Sequence, residues 1–274
     1  SRVGSKANEE HPTFEYCRMF DKPILAHEEV LELTRGGVMN EGLVSLALGL
    51  PGMPGAAEDV MIGRDIQLAE VTNGRLHVMH VSTAQGVALV RDAKARGVRV
   101  TAEACPHHFT LTDESLRAFD SNFKMSPPLR TAADVDAIIA GLIDGTIDCI
   151  STDHAPHALE KKMLELDRAP FGILGLETAV GLAVTRLIVP GRIGWPRLVE
   201  AMSTLPSRIL GIERGTLSDG AVADISIIDP NISWQVDVEK FRSKSVNSPF
   251  HGWKLQGRAV TTIVNGRIKY QLDV

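Results

Sequence analysis

Apolar residues in this chain alternate between short continuous runs and longer stretches where they recur every three or four positions. Glu9 to Phe20 is of the second kind: Phe14, Cys17 and Met19 fall at roughly helical spacing, and the pattern stops before Asp21-Lys22-Pro23. Residues 1–8, all but Val3 and Ala7 polar or glycine, read as a loop. Pro23 to Ala26 predicts a short strand. Residues 31–55, rich in glycine and proline, predict a long surface excursion, and Glu58 to Glu70 an amphipathic helix. The grammar then repeats. A strand over Arg75–Val81 leads to a helix over Ala84–Arg96 stopped by Gly97, then to a strand over Val98–Ala104. Thr112-Asp113-Glu114 opens a short helix. Thr131 caps another that runs to about Leu142, and Ile147–Ile150 forms a buried strand. Strands alternating with helices imply a parallel sheet with crossover helices, an α/β fold.

Beyond that strand, Glu160–Arg168 predicts a charged helix or lid, and Ala179–Val189, Pro196–Leu205 and Pro206–Gly211 predict helices. From Gly215 the composition changes. Ala223–Ile228 reads as a strand, and Val260–Val264 with Arg267–Tyr270 as a hairpin turning on Asn265-Gly266, a pair suited to a type I′ turn. The expected organisation is an α/β unit over residues 1–214 and a small β-rich unit over 215–274.

Candidate chemistry sits where the predicted strands end. His27, His80, Cys105-Pro106-His107-His108 and Ser151-Thr152-Asp153-His154 with His157 each follow one. In parallel sheets functional groups gather at the carboxyl ends of the strands. Imidazoles and a carboxylate from separate strand ends can converge on one divalent ion, with Zn²⁺ the default for mixed nitrogen and oxygen donors. His27, His80 and Asp153 are therefore the expected metal ligands. Zinc lowers the pKa of a bound water to about 7, and Asp153 can take that proton and pass it to a leaving amide nitrogen. His77 is read as structural. Either of His107 and His108 can hydrogen-bond around the site or cap the loop. His157 can turn back to hold an anionic group, and Phe171-Gly172 offers a backbone N–H to a small ligand. Arg130 is expected in an exposed salt bridge.

Composition narrows the function. With 274 residues, 44% of them hydrophobic, the chain can bury a sizeable core. A net charge of -5, with the charges interspersed, excludes a basic nucleic-acid footprint. No apolar run approaches the ~20 residues that span a bilayer. Residues 1–12 hold no apolar segment, and Cys17, Cys105 and Cys149 are too few and too far apart for a disulfide framework. A cytoplasmic protein acting on a small molecule is expected. Cys105 and Cys149 are read as small buried apolar residues.

Lys22-Pro-Ile-Leu-Ala-His27, Gly37-Val-Met-Asn-Glu-Gly42, His80-Val-Ser-Thr83, Thr101-Ala-Glu-Ala-Cys-Pro-His-His108, Asp148-Cys-Ile-Ser-Thr-Asp-His-Ala-Pro-His157, Ala169-Pro-Phe-Gly-Ile173, Gly175-Leu-Glu-Thr178 and Phe241-Arg-Ser-Lys-Ser245 occur in that order. Together they resemble the bacterial zinc dihydroorotases of the amidohydrolase superfamily. The resemblance implies a (β/α)8 TIM barrel of the metal-dependent amidohydrolase type. This chain would supply its C-terminal part, about four or more βα units, followed by the small β-rich unit. It also implies one or two Zn²⁺ ions, with His27 and His80 on the second, and Asp153 as both a ligand of the first and the catalytic acid/base. His157 and the Phe171-Gly172 backbone would bind dihydroorotate. The implied reaction is the reversible cyclisation of N-carbamoyl-L-aspartate, in a homo-oligomer that can pair with aspartate carbamoyltransferase.

Three departures qualify this. The family's His-x-His-x-Arg motif is not among these residues. Ser1-Arg2-Val3-Gly4 stands near the place of an acidic family loop and has neither acid. Ser126 replaces the substrate-binding Asn, and its hydroxyl lacks the amide N–H pair. Two alternatives follow: a catalytically impaired dihydroorotase-like subunit that scaffolds aspartate carbamoyltransferase, or a hydantoinase-like amidohydrolase.

Overall fold

The computed structural model describes residues 7–272. The expected loop over residues 1–8 falls mostly outside that range, as does the Ser1–Gly4 comparison. Helix α1 (Ala7–Arg18) precedes strand β1 (Pro23–Ala26). Then follow α2 (Leu31–Thr34), β2 (Met39–Asn40), α3 (Leu43–Leu48), β3 (Gly52–Met53) and α4 (Ala56–Thr72). The βα rhythm continues with β4 (Arg75–Val78), α5 (Ala84–Ala95), β5 (Val100–Ala104), α6 (Ala132–Asp144) and β6 (Cys149–Ile150).

Strands β1, β4, β5 and β6 form one parallel sheet in that order, with Leu25 opposite His77 and His77 opposite Thr101. Each successive strand of the sheet lies beside the last, so the winding never reverses. That is the progression of a barrel rather than of a doubly wound sheet, whose strand order switches direction. A single parallel bridge between His154 and Ile173 extends the series beyond β6.

Helices α4, α5 and α6 cover the sheet's outer face. Ile62 and Ile66, Val87 and Val90, and Ile138 and Leu142 face inward, and all six are buried with Leu76, Val78, Ala102 and Ile147. The helix starts are cross-tied. Thr131 and Asp134 form a reciprocal capping box on α6, and the Asp134 carboxylate also accepts from the Ala84 N–H that opens α5, at 2.8 Å. The cap expected at Thr131 is the one observed.

Three expectations need correction. Residues 31–55 are a surface excursion only in part: Leu43 and Leu46 are exposed, but the segment also reaches the interior. Val38, Met39 and Val44 are buried in a second core with Leu129, Phe250 and Leu255, Met53 is buried as well, and β2 pairs with β3. The glycines there permit close backbone approach: a Cβ on Gly52 would lie 2.4 Å from the Glu41 Cα. The charged helix over Glu160–Arg168 shrinks to α7 (Leu159–Lys162). The helices expected at 196–205 and 206–211 are one helical run, α8 (Trp195–Val199) passing through a π-helical stretch at Glu200–Thr204 into α9 (Leu205–Leu210).

The C-terminal sheet is antiparallel: β7 (Ile225–Gln235), β8 (Lys254–Val264) and β9 (Arg267–Gln271). Asn265 and Gly266 both have positive φ, 49° and 72°, as a type I′ turn requires. Leu255 of β8 packs against Gly181, where a Cβ would approach its side chain to 3.0 Å. Among the described residues, no helix is long and apolar enough to cross a membrane.

Candidate metal and active site

The carboxyl ends of β1, β4, β5 and β6 share one face of the molecule and carry His27, His80, the Cys105–His108 turn and Asp153. Strand order decides which of these meet. β1 and β4 are neighbours, and His27 Nδ1 lies 2.9 Å from His80 Nε2, with the rings edge to face. Asp153 follows β6, three strand spacings or about 14 Å along the curved sheet from β1. Its carboxylate does not close the imidazole pair into a trio of ligand atoms within 4.8 Å.

Proton placement at the pair follows from its partners. His27 Nε2 is 3.3 Å from the Glu29 carboxylate and donates to it, leaving Nδ1 as a bare acceptor. His80 Nε2–H then donates to that nitrogen, and His80 Nδ1 is left buried with no hydrogen-bond partner. Burial first, then the neighbouring His27, push the His80 imidazole well below its ordinary pKa, so it is neutral at pH 7. The His27 contact pulls the Glu29 carboxyl down.

Two imidazole nitrogens facing each other across a short gap suit a divalent ion between them. Zn–N bonds of about 2.0–2.1 Å at a tetrahedral angle need nitrogens about 3.3 Å apart. The observed 2.9 Å is close to that, and His80 can give up its Nε2 proton to the metal's place by carrying its N–H on Nδ1, which no other group engages. The spacing of the pair fits a metal, and Asp153 stands apart from it at the end of β6.

Backbone strain marks the same residues. His80 and Asp153 adopt φ of +34° and +43°, a region that costs non-glycine residues energy. Asp153 is the most open of the three, yet surrounding protein still raises its carboxyl pKa, with His27 acting in the opposite sense. Ser126 lines a small cleft with His27, Glu29 and Pro127, so the structure brings it beside the imidazole pair.

His157 and the Phe171-Gly172 loop form a separate group. His157 Nε2 donates to the Phe171 carbonyl at 2.8 Å. The Gly172 N–H, expected to face a ligand, donates to the Lys124 carbonyl at 3.0 Å. Lys124 Nζ also sits 4.5 Å from the Phe171 ring centre, and Lys162 donates to the Pro170 and Gly172 carbonyls at 3.0 and 3.1 Å. Burial lowers the Lys162 pKa to about 8. The segment expected as a lid therefore anchors this loop.

Arg130 is also corrected. It is buried, not exposed, and donates to Ser82 Oγ at 3.1 Å, Asn40 Oδ1 at 3.0 Å and the Met53 carbonyl at 2.7 Å. Its Nη2 lies 3.5 Å from buried Glu58, which also accepts from the Ser82 N–H at 2.7 Å. His77 bonds Thr101 at 2.8 Å and Glu103 at 3.1 Å, and His154 Nδ1 accepts from the Gly175 N–H at 3.1 Å. Sequence reasoning also missed the Cys105–His107–His108 group, whose ligand atoms all lie within 4.8 Å of one another. The available signal was a cysteine three residues before a histidine, with proline between.

A parallel sheet wound in one direction, with histidine and aspartate at its strand ends, is the architecture of a metal-dependent amidohydrolase. Residues 18–269 match the Amidohydrolase family, and the chain belongs to it. Proteins named dihydroorotase from Citrifermentans bemidjiense and Pelotomaculum thermopropionicum are 52% and 54% identical over 257 residues, 94% of this chain and 60% of each relative. The chain thus spans about 60% of the length of these relatives. Among solved structures, an L-hydantoinase (dihydropyrimidinase) from Arthrobacter aurescens superposes with a TM-score of 0.88 at 29% identity, over 97% of this chain and 61% of that one. A D-hydantoinase from Thermus sp. gives 0.87 at 26%, over 98% and 61%. The fold is therefore that of the TIM-barrel amidohydrolases.

Proposed function

We propose that this chain is the metal-binding C-terminal part of a dihydroorotase, a cyclic amide hydrolase that interconverts dihydroorotate and N-carbamoyl-L-aspartate in pyrimidine biosynthesis. The observation that carries this is the His27–His80 pair, adjacent through strand order, strained at His80 and left with one unused nitrogen. More than 50% identity to dihydroorotases supports the choice of substrate over a hydantoin.

His27 and His80 would hold one Zn²⁺, and Asp153 would contribute to a second position completed by residues beyond this chain. The bound metal supplies Lewis acidity and an acidified water. Asp153 performs the proton transfers. Its carboxylate accepts a proton from the attacking water, then delivers it to the ring nitrogen as the amide C–N bond breaks. Its raised pKa suits a group that must carry that proton. Ser126, beside His27, and His157 with the Phe171 and Gly172 backbone would hold the substrate's polar edges. His157 Nδ1 is the free acceptor or donor there, since Nε2 is engaged. Gly172 contributes only if its N–H is released from Lys124.

Residues 215–274 would form a small separate unit packed on the barrel, in a cytoplasmic homo-oligomer that can associate with aspartate carbamoyltransferase. The test is ring opening of dihydroorotate by the complete gene product, beside hydantoin and dihydrouracil. Preferential turnover of dihydroorotate is expected. Preference for hydantoin would favour the hydantoinase alternative. No turnover, with a carbamoyltransferase co-purifying, would favour the scaffold.

A further inference from the structure

Beneath the strand-end face, the turn after β5 places three metal-type donors together in the interior. Cys105, His107 and His108 are 0%, 3% and 2% exposed. Cys105-Pro106-His107-His108 closes as a turn, with the His108 N–H donating to the Cys105 carbonyl at 2.9 Å. Proline at the second position presets such a turn and brings the first and fourth residues to one side. The two imidazole rings are 4.3 Å apart, and one ligand atom from each of the three residues lies within 4.8 Å of the others.

His108 gives the independent sign of a ligand. Its Nε2–H donates to the Pro127 carbonyl at 3.0 Å, which leaves Nδ1 as a lone pair. That Nδ1 is buried with no hydrogen-bond partner. A histidine that gives one N–H to a backbone carbonyl and keeps the other nitrogen bare has the form metal-ligating histidines adopt. Cys105 Sγ hydrogen-bonds the Ser151 hydroxyl at 3.5 Å.

We propose that Cys105, His107 and His108 form a second metal site, buried and built from three protein donors, for a borderline-soft divalent ion of the zinc class. It shares no residue with the His27–His80 pair. Binding replaces the thiol proton: the Cys105 S–H bond breaks, sulfur keeps the electron pair and donates it to the metal, and the proton leaves to solvent. The imidazoles bind neutral, and a water completes four-coordination. Zn–S of about 2.3 Å and Zn–N of about 2.0–2.1 Å require donors about 3.4–3.6 Å apart, so roughly 1 Å of closure is needed. Small side-chain rotations on a four-residue turn supply it. Through the His108–Pro127 hydrogen bond, the ion would fix the loop that carries Ser126.

Cobalt(II) distinguishes this site from the nitrogen–oxygen site above, because only Cys105 contributes sulfur. The metal-stripped chain titrated with Co²⁺ should develop a sulfur-to-cobalt charge-transfer absorption in the near ultraviolet, complete by two equivalents in the parent and by one equivalent in the His27→Ala/His80→Ala double variant. The band should persist in the His27→Ala/His80→Ala double variant and in Cys149→Ser, and vanish in Cys105→Ser. The unmodified chain needs no variant to fold, so absence of the band there overturns the proposal directly. A band that needs more than two equivalents of cobalt in the parent, or that survives Cys105→Ser, also overturns it. Neither result touches the assignment of His27 and His80, whose loss would show as missing metal with the sulfur band intact.

Discussion

Two sets of polar groups lie at the same end of the sheet and differ in one respect. Glu58, Ser82, Arg130 and Asn40 are buried and satisfy each other: the guanidinium meets a hydroxyl, an amide oxygen, a carbonyl and a carboxylate, and Asn40 passes a hydrogen bond on to Asp113 at 2.9 Å. His80 and Asp153 are strained, and His80 also keeps one ring nitrogen without a partner, while His27 is bonded to both His80 and Glu29. The first set uses polar chemistry to hold the Pro127–Arg130 loop against α4. On the proposed function, the second keeps strained groups ready for a partner from outside the protein. One set should therefore respond to substitution with lost stability, the other with lost activity.

The largest effect is expected at Asp153. Asp153→Asn should lower dihydroorotate turnover by about 10²–10⁴-fold in the complete gene product, the range for removing a general acid/base. Its unfolding free energy should stay within about 0.5 kcal/mol of the parent, as for a surface change. A large drop in urea-unfolding stability would move Asp153 into the structural set. Arg130→Met should do the reverse. Stranding Glu58 in the interior should cost about 3–5 kcal/mol in denaturant unfolding, and replacing Glu58 by Leu in the same chain should recover much of it.

The Lys162 anchor gives a pH test of the bonded set. Its pKa is lowered from 10.5 to about 8 by burial first and by Lys124 second. Between those values the unfolded chain binds the proton and the folded chain does not, so stability should rise as pH increases from about 8 to 10.5. The rise is at most about 3 kcal/mol. Thermal unfolding across that window should show it, and Lys162→Met should flatten the slope. The smallest effect is expected for His80→Asn. Asparagine tolerates positive φ better than most residues, so stability should change by less than about 1 kcal/mol while metal retention falls.

Much of this was legible from residue order. The βα rhythm, the Thr131 cap and the Asn265-Gly266 turn are local signals, and each appears where the pattern put it. The imidazole pair was legible because both histidines end strands of one repeating unit. What was not legible depends on distant contacts. Nothing near Arg130 shows that Glu58, 72 positions earlier, lies against it. Residues 31–55 resemble a loop because their glycines serve backbone close approach, and their burial is contributed by Phe250 and Leu255 from the far end of the chain. Cys105 is the small buried side chain expected, and only the turn shows that it lies beside His108. The Gly172 N–H was assigned to a ligand because the Lys124 carbonyl that takes it lies 48 residues away.

The most direct test is metal content after dialysis against zinc and removal of free ion, comparing the chain with its His27→Ala/His80→Ala variant. The account predicts that the variant loses one equivalent of zinc relative to the parent and melts at nearly the same temperature. Equal zinc in both would contradict the assignment of His27 and His80 as the seat of the metal.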